Sequence, residues 1–257
     1  MKNYILFFIL VFLPVTSYSS TKLFKDYKFE DGGYYIIGAF SESDKNSLCD
    51  SLGQFYTDSL PILNLFKEEW QFDKPGMQYS CGYHYCLYLC KNKICLKTIR
   101  INLNCNEIVS DEGYFYFNTD KLRKFTGKLK KVKSVYESFG SLEEARTKRT
   151  QTLNQPKLLF TPEEFWINFE GRFSFTYTYI KGKDGYKTQK SIILNKLSEE
   201  IRNKYPDEKF TLFDVGGSKE EMFISVHCNK SLSDKFTIYP RGAWTPFYLH
   251  MTSYWIP

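Results

Sequence analysis

The sequence predicts an α+β fold, mainly antiparallel sheet with helices packed on it. Residues 172–180 alternate cleanly between aromatic and polar side chains, the period of two that a half-buried strand requires. Ile193, Leu197, Ile201 and Tyr205 instead step by four, which is the apolar stripe of an amphipathic helix. Residues 81–105 hold five of the seven cysteines in two strand-like runs broken only by Lys91-Asn92-Lys93, and so read as a hairpin.

Residues 1–19 read as an export signal. Lys2 supplies the positive start, residues 5–13 are apolar but too short to span a bilayer, and Ser17 and Ser19 offer small side chains for cleavage. No later apolar run approaches the length of a transmembrane helix, so no membrane span is expected. The mature chain is expected in an oxidising compartment, periplasmic or extracellular, where disulfides persist. It divides into an N-terminal half, 20–155, and a C-terminal half, 156–257, at Gln155-Pro156. A formal charge of +6 on 257 residues is mild for a nucleic-acid binder.

In the first half, Gly32-Gly33 marks a turn and residues 34–40 a strand. Leu48, Leu52 and Phe55 suggest a helix from Asp44. Pro61 interrupts it, and Ser59 caps a second helix that turns Ile62, Leu65, Phe66 and Trp70 inward. Next comes the cysteine hairpin. If Asn92-Lys93 form a two-residue loop, Cys90 faces Cys95 in a non-hydrogen-bonded pair, with Cα atoms about 4.5 Å apart, a separation a disulfide tolerates. The same register leaves Cys105 one residue from Cys81, so a single bulge would bring that pair together too.

A metal site built from Cys81, His84, Cys86, Cys90 and Cys95 is the rival reading. The close cysteine pairs of structural zinc are missing, and Cys86 and Cys90 sit roughly 13 Å apart on a regular strand, so no metal is expected. Counting register through the hairpin puts Tyr83 and Tyr85 with Arg100, Asn102 and Asn104 on a mixed face suited to recognition. Ile99, Ile101 and Leu103 take the other side. A strand at 114–118 follows.

Residues 121–133 carry Lys121, Arg123, Lys124, Lys128, Lys130, Lys131 and Lys133 with no acid among them. Lys128, Lys130 and Lys131 are candidates for contact with an anionic polymer. The plainer reading, which the interleaved Leu122, Phe125, Leu129 and Val132 favour, is a solvated face with its hydrophobes turned inward.

At the end of the first half, Ser141 and Glu144 form a capping box that starts a polar helix over 142–153, and the second half opens after it. Thr161-Pro162-Glu163-Glu164 repeats that signature before a short helix with Phe165, Trp166 and Phe169 on its apolar face, ended by Gly171. The 172–180 strand and a helix ended by Pro206 come next, then strands at 210–215, 222–228 and 236–239 and a last segment around 248–255. Both halves run strand, helix, then antiparallel strands, which raises the option of two similar β-α-β-β-β units. Trp244, Tyr248 and Trp255 stand in an aromatic C-terminal run that suits a ligand surface if exposed and a last strand if buried.

The catalytic inventory is thin. No H-E-x-x-H, G-x-S-x-G, Walker loop or G-x-G-x-x-G occurs in the sequence, so no cofactor is implied. Only His84, His227 and His250 are available, and His227 and His250 are the weak catalytic candidates. His227 and Cys228 are neighbours on a strand and point to opposite faces. The sequence therefore favours an exported cell-envelope binding protein, of the immunity or inhibitor type that occupies a toxin or enzyme. Its partner would be another protein. The alternatives are a secreted hydrolase acting on an envelope polymer and a carbohydrate-binding surface protein. A histidine–carboxylate pair in a deep cleft would favour the hydrolase, and a flat or convex aromatic-basic face the binder.

Overall fold

The structure, a computed structural model, describes residues 20–40, 51–73, 76, 82–179, 186–217 and 220–257. The export signal, Cys49 and Cys81 lie outside them. The fold is α+β with mostly antiparallel sheet, in two compact units, 1–132 and 133–257. That division falls before the polar helix at 142–153, which belongs to the second unit, whereas the sequence placed the boundary after it.

The first unit is organised on one antiparallel sheet. Its strands are β2 (Tyr34–Phe40), β3 (Phe55–Thr57), β5 (Tyr85–Lys91), β6 (Ile94–Asn102), β7 (Glu107–Ser110), β8 (Gly113–Tyr116) and β9 (Lys130–Lys131), in the order β8-β7-β6-β5-β2-β3-β9. A two-stranded ribbon joins β1 (Thr21–Lys22) to β4 (Gln71–Phe72). Helix α1 (Leu60–Glu69) starts at Ser59 with proline in its first turn. It turns Leu63 and Phe66 into a core shared with Ile36, Leu87, Ile99 and Ile101. The basic stretch contributes as well: Phe125 follows the short helix α2 (Asp120–Arg123) and stacks on Phe66 at 3.9 Å. Phe55 belongs to β3 and not to a helix, because its ring packs against Tyr85 across the sheet.

The β5–β6 hairpin has the two-residue loop the sequence predicts. Asn92 and Lys93 both take positive φ, 51° and 69°, as a type I′ turn requires, and Cys90 pairs with Cys95. A bulge follows at once. Leu89 pairs with Lys97, so Leu96 is the extra residue, and Tyr85 faces Ile101 where unbroken register would give Arg100. That single residue corrects the expected faces: Tyr85 is fully buried beside Leu87, Ile99 and Ile101. The expected disulfide is not formed, since Cys90 and Cys95 are both free thiols. The Cys81–Cys105 pairing depends on a residue outside those described.

The second unit has two sheets. Strands β12 (Gly171–Thr178), β13 (Phe210–Gly217), β14 (Glu221–Cys228) and β15 (Thr245–Pro246) run in the order β13-β14-β12-β15. Strands β10 (Lys133–Ser138), β11 (Leu158–Phe160) and β16 (His250–Trp255) run in the order β10-β16-β11. Helix α4 (Tyr186–Lys204) lays Ile193, Leu197 and Ile201 on Phe173, Phe175, Ile224 and Val226. Helix α3 (Leu142–Leu153) places Ala145 against Met251 and Trp166. Its cap is close to the predicted box: Ser141 accepts from the Glu144 amide at 3.2 Å, and Glu144 accepts from the Gly140 amide at 2.9 Å.

Two expected elements differ. Residues 236–239 form no strand; a short helix, α5 (Lys230–Lys235), precedes them, and Phe236 and Tyr239 cover Phe173 and Phe175 at 4.8 Å each. One seven-stranded sheet in the first unit against separate four- and three-stranded sheets in the second gives the two halves different topologies, so the duplicated unit is not seen. No helix among the described residues is long and apolar enough to cross a membrane.

Candidate functional site

Strand β14 alternates. Met222, Ile224, Val226 and Cys228 face α4, which leaves Phe223, Ser225 and His227 on the opposite side. On that side Phe213 of β13 lies across from Ser225. A 3-10 turn at Phe165–Ile167 brings in Phe165, and the segment before β16 brings in Phe247. The three rings surround His227 at 4.3 Å (Phe213), 4.6 Å (Phe165) and 4.9 Å (Phe247). Phe165 remains 54% exposed, Phe223 44% and Val215, at a bulge in β13, 59%. Large apolar groups this exposed on one sheet face are the feature that marks interaction surfaces.

His227 itself is buried. Burial, and next the Arg172 guanidinium opposite it on β12, hold its pKa down to about 4. It is therefore neutral at neutral pH and completes the aromatic surface. Its Nδ1 and the Ser225 hydroxyl have no hydrogen-bond partner among the described residues. A histidine ordinarily titrates near 6.5. Between pH 6.5 and 4 the unfolded chain thus takes a proton that the folded one refuses, and stability falls as pH falls. The window amounts to about 3 kcal/mol at most. In acid titrations of urea stability, His227→Leu is expected to flatten this loss; an unchanged profile would mean that His227 is solvated.

A second histidine meets a carboxylate. His250 Nε2 lies 3.3 Å from Glu164 Oε2, and its ring stacks on Tyr136 at 5.5 Å. Burial raises the Glu164 pKa, with the charges of His250 and Arg149 opposing. The other ring nitrogen, Nδ1, is buried with no hydrogen-bond partner among the described residues. A proton relay needs that nitrogen to reach substrate. The pair is better placed to tie β16 to the 165–167 turn, as is the Trp166 indole N–H, which donates to the His250 carbonyl at 2.6 Å. An open depression of about 620 Å³ in the same unit is lined by Glu137, Ser141, Glu144 and Lys148, and not by this pair.

Glu164 is the residue that sequence reasoning misassigned. It was expected to cap a helix, but Thr161 donates to the Thr252 carbonyl at 2.8 Å and the segment forms only a 3-10 turn, freeing Glu164 for His250. Phe165, expected inward, points out for the same reason. His84 is structural, accepting the Leu103 amide at 3.1 Å on Nδ1.

The other candidates scatter. Tyr85 is buried, its hydroxyl on the Gly53 carbonyl, while Tyr83 is half-buried and Arg100 exposed. Lys128, Lys130 and Lys131 are exposed; Lys130 pairs with Asp58 at 2.6 Å and sits over the Tyr56 ring at 5.2 Å. Leu122 and Phe125 beneath them are buried, the pattern of a solvated face with its hydrophobes turned inward. Trp244 packs on the α4 core beside Gly171, where any Cβ would collide with the Trp244 ring and the Thr245 carbonyl. Trp255 is half-buried in β16 and donates to Ser253 Oγ at 2.8 Å. Tyr248 alone of the three stands out, 87% exposed. Among the described residues, no three His, Cys, Asp or Glu side chains gather as metal ligands. Comparison of the chain with protein-family models, curated proteins and solved structures gives no match.

Proposed function

We propose that this is an exported binding protein of the cell envelope, of the immunity or inhibitor type, which engages a partner protein through the aromatic face around His227. The exposure of Phe165 beside a neutral, buried histidine, with Val215 and Phe223 exposed farther along β13 and β14, is the observation that carries the reading. The geometry suits protein side chains better than sugar rings. Phe165 stands at 72° to Phe213 and 85° to His227, and His227 at 68° to Phe247; Phe165 and Phe247 alone lie nearer parallel, at 30°, so most of these rings meet edge to face and present knobs and gaps. Partner anchors of this kind are typically large rings in desolvated pockets.

Export implies that the mature chain begins near Ser20. Intact-mass analysis of the envelope protein should find residues 1–19 removed; their retention would contradict the location. In an oxidising compartment the Cys90–Cys95 pair would close as a bond across the hairpin.

The Glu164–His250 contact favours a second reading, a hydrolase acting on an envelope polymer. It ranks below the first because the outer nitrogen is enclosed. Affinity capture of the mature protein from its native envelope, followed by mass spectrometry, separates the two. A stoichiometric protein partner supports the binder. Turnover of a glycan or ester by the purified protein, lost in Glu164→Gln, supports the hydrolase.

A further inference from the structure

Among the described thiols, Cys90 and Cys95 are paired directly across the hairpin, next to a type I′ loop. Neighbouring antiparallel pairs hold their Cα atoms about 4.5–5.5 Å apart, inside the range of a disulfide. The two sulfurs differ in surroundings. Cys90 is fully buried, whereas Cys95 is partly exposed. The Cys95 sulfur lies 3.6 Å from the Thr98 hydroxyl, which can donate to a thiolate, and 3.5 Å from the Lys97 carbonyl.

We propose that Cys90 and Cys95 form a reversible dithiol–disulfide centre, with Cys95 the attacking thiol and Cys90 the resolving one. The oxidant is a low-molecular-weight disulfide. The Cys95 thiolate attacks one of its sulfurs, breaking that S–S bond and releasing one thiolate, so that Cys95 carries a mixed disulfide. Cys90 then gives its proton to the released thiolate and attacks the Cys95 sulfur, releasing the second thiolate, which takes a proton from solvent. Two cysteine thiols are oxidised, one disulfide is reduced to two thiols, and two electrons pass. A reducing thiol runs the sequence backwards.

The electrostatics agree with this assignment. A hydrogen bond from Cys90, more than the Thr98 hydroxyl, lowers the Cys95 pKa to about 6, and Cys90 is raised in turn. Elsewhere burial raises Cys86 and pushes Cys228 up to about 12, so neither competes as a thiolate. The consequence is local. Closing the bond fixes the register of β5 on β6 beside the Leu96 bulge, where a slip would turn Tyr85, Ile99 and Ile101 out of the core.

The proposal is independent of the partner-binding face and is tested on the purified, reduced protein. In brief iodoacetamide labelling at pH 7 with peptide mapping, Cys95 is expected to react about tenfold faster than Cys86, Cys90 or Cys228. Oxidised glutathione should then yield a Cys90–Cys95 cross-linked peptide. In Cys90→Ser it should leave glutathione trapped on Cys95, while Cys95→Ser should leave Cys90 unmodified. Equal labelling of the thiols, no cross-link in the native chain, or a glutathione adduct on Cys90 in Cys95→Ser would each overturn it. The labelling arm uses the native chain, so it stands even if a variant fails to fold.

Discussion

Trp166→Ala is expected to destabilise the second unit by about 3–5 kcal/mol, the range for emptying a buried tryptophan site. Trp166 is 1% exposed and lies against Ala145 and Met251, with the Phe139 ring 6.4 Å away. Its indole N–H also satisfies the His250 carbonyl. Removing the ring therefore opens a cavity and orphans an acceptor together. Trp166→Phe separates the two contributions: most of the packing survives and the carbonyl loses its donor, for about 1–2 kcal/mol. Amide exchange in α3 and β16 reports on this unit by itself. A cost below about 1 kcal/mol for the alanine variant would mean that the site collapses or that Trp166 is not a core residue. Because Trp166 anchors the 165–167 turn, the alanine variant should also loosen Phe165.

Much of this architecture is legible in the sequence wherever the determining chemistry is local. Strand β2, the helix over 142–153 with Ser141 and Glu144 at its start, and the Asn92-Lys93 loop all follow from residues within a few positions of one another. The α4 stripe is equally plain, since one face of one helix repeats four times. What escaped is non-local or a single residue wide. The Leu96 bulge cannot be counted from periodicity, because Leu96, Ile99 and Ile101 suit either face of a sheet; one inserted residue then carries Tyr85 from the expected recognition face into the core. Glu164 reads as a helix cap until β16 supplies His250 from far along the chain. The aromatic face had a similar fate. Phe165, Phe213 and Phe247 come from three separate segments, and no spacing along the chain marks them as neighbours of His227. Phe236 and Tyr239 show the converse: their composition suits a strand, but the rings serve as a lid on Phe173 and Phe175.

The central claim is that the face around His227 binds a partner protein. It is tested most directly by titrating the captured partner against native protein and against Phe165→Ser combined with Phe223→Ser. Both side chains are about half exposed, at 54% and 44%, so the double variant should keep its fold. Interface aromatics that act as anchors contribute about 2–4 kcal/mol, which corresponds to binding weaker by roughly 30-fold to 1000-fold. Loss of that size, with circular dichroism unchanged, is the result predicted. Unchanged affinity in the double variant, or binding abolished instead by reversing Lys128, Lys130 and Lys131, would contradict the claim and move the contact to the basic surface of the first unit.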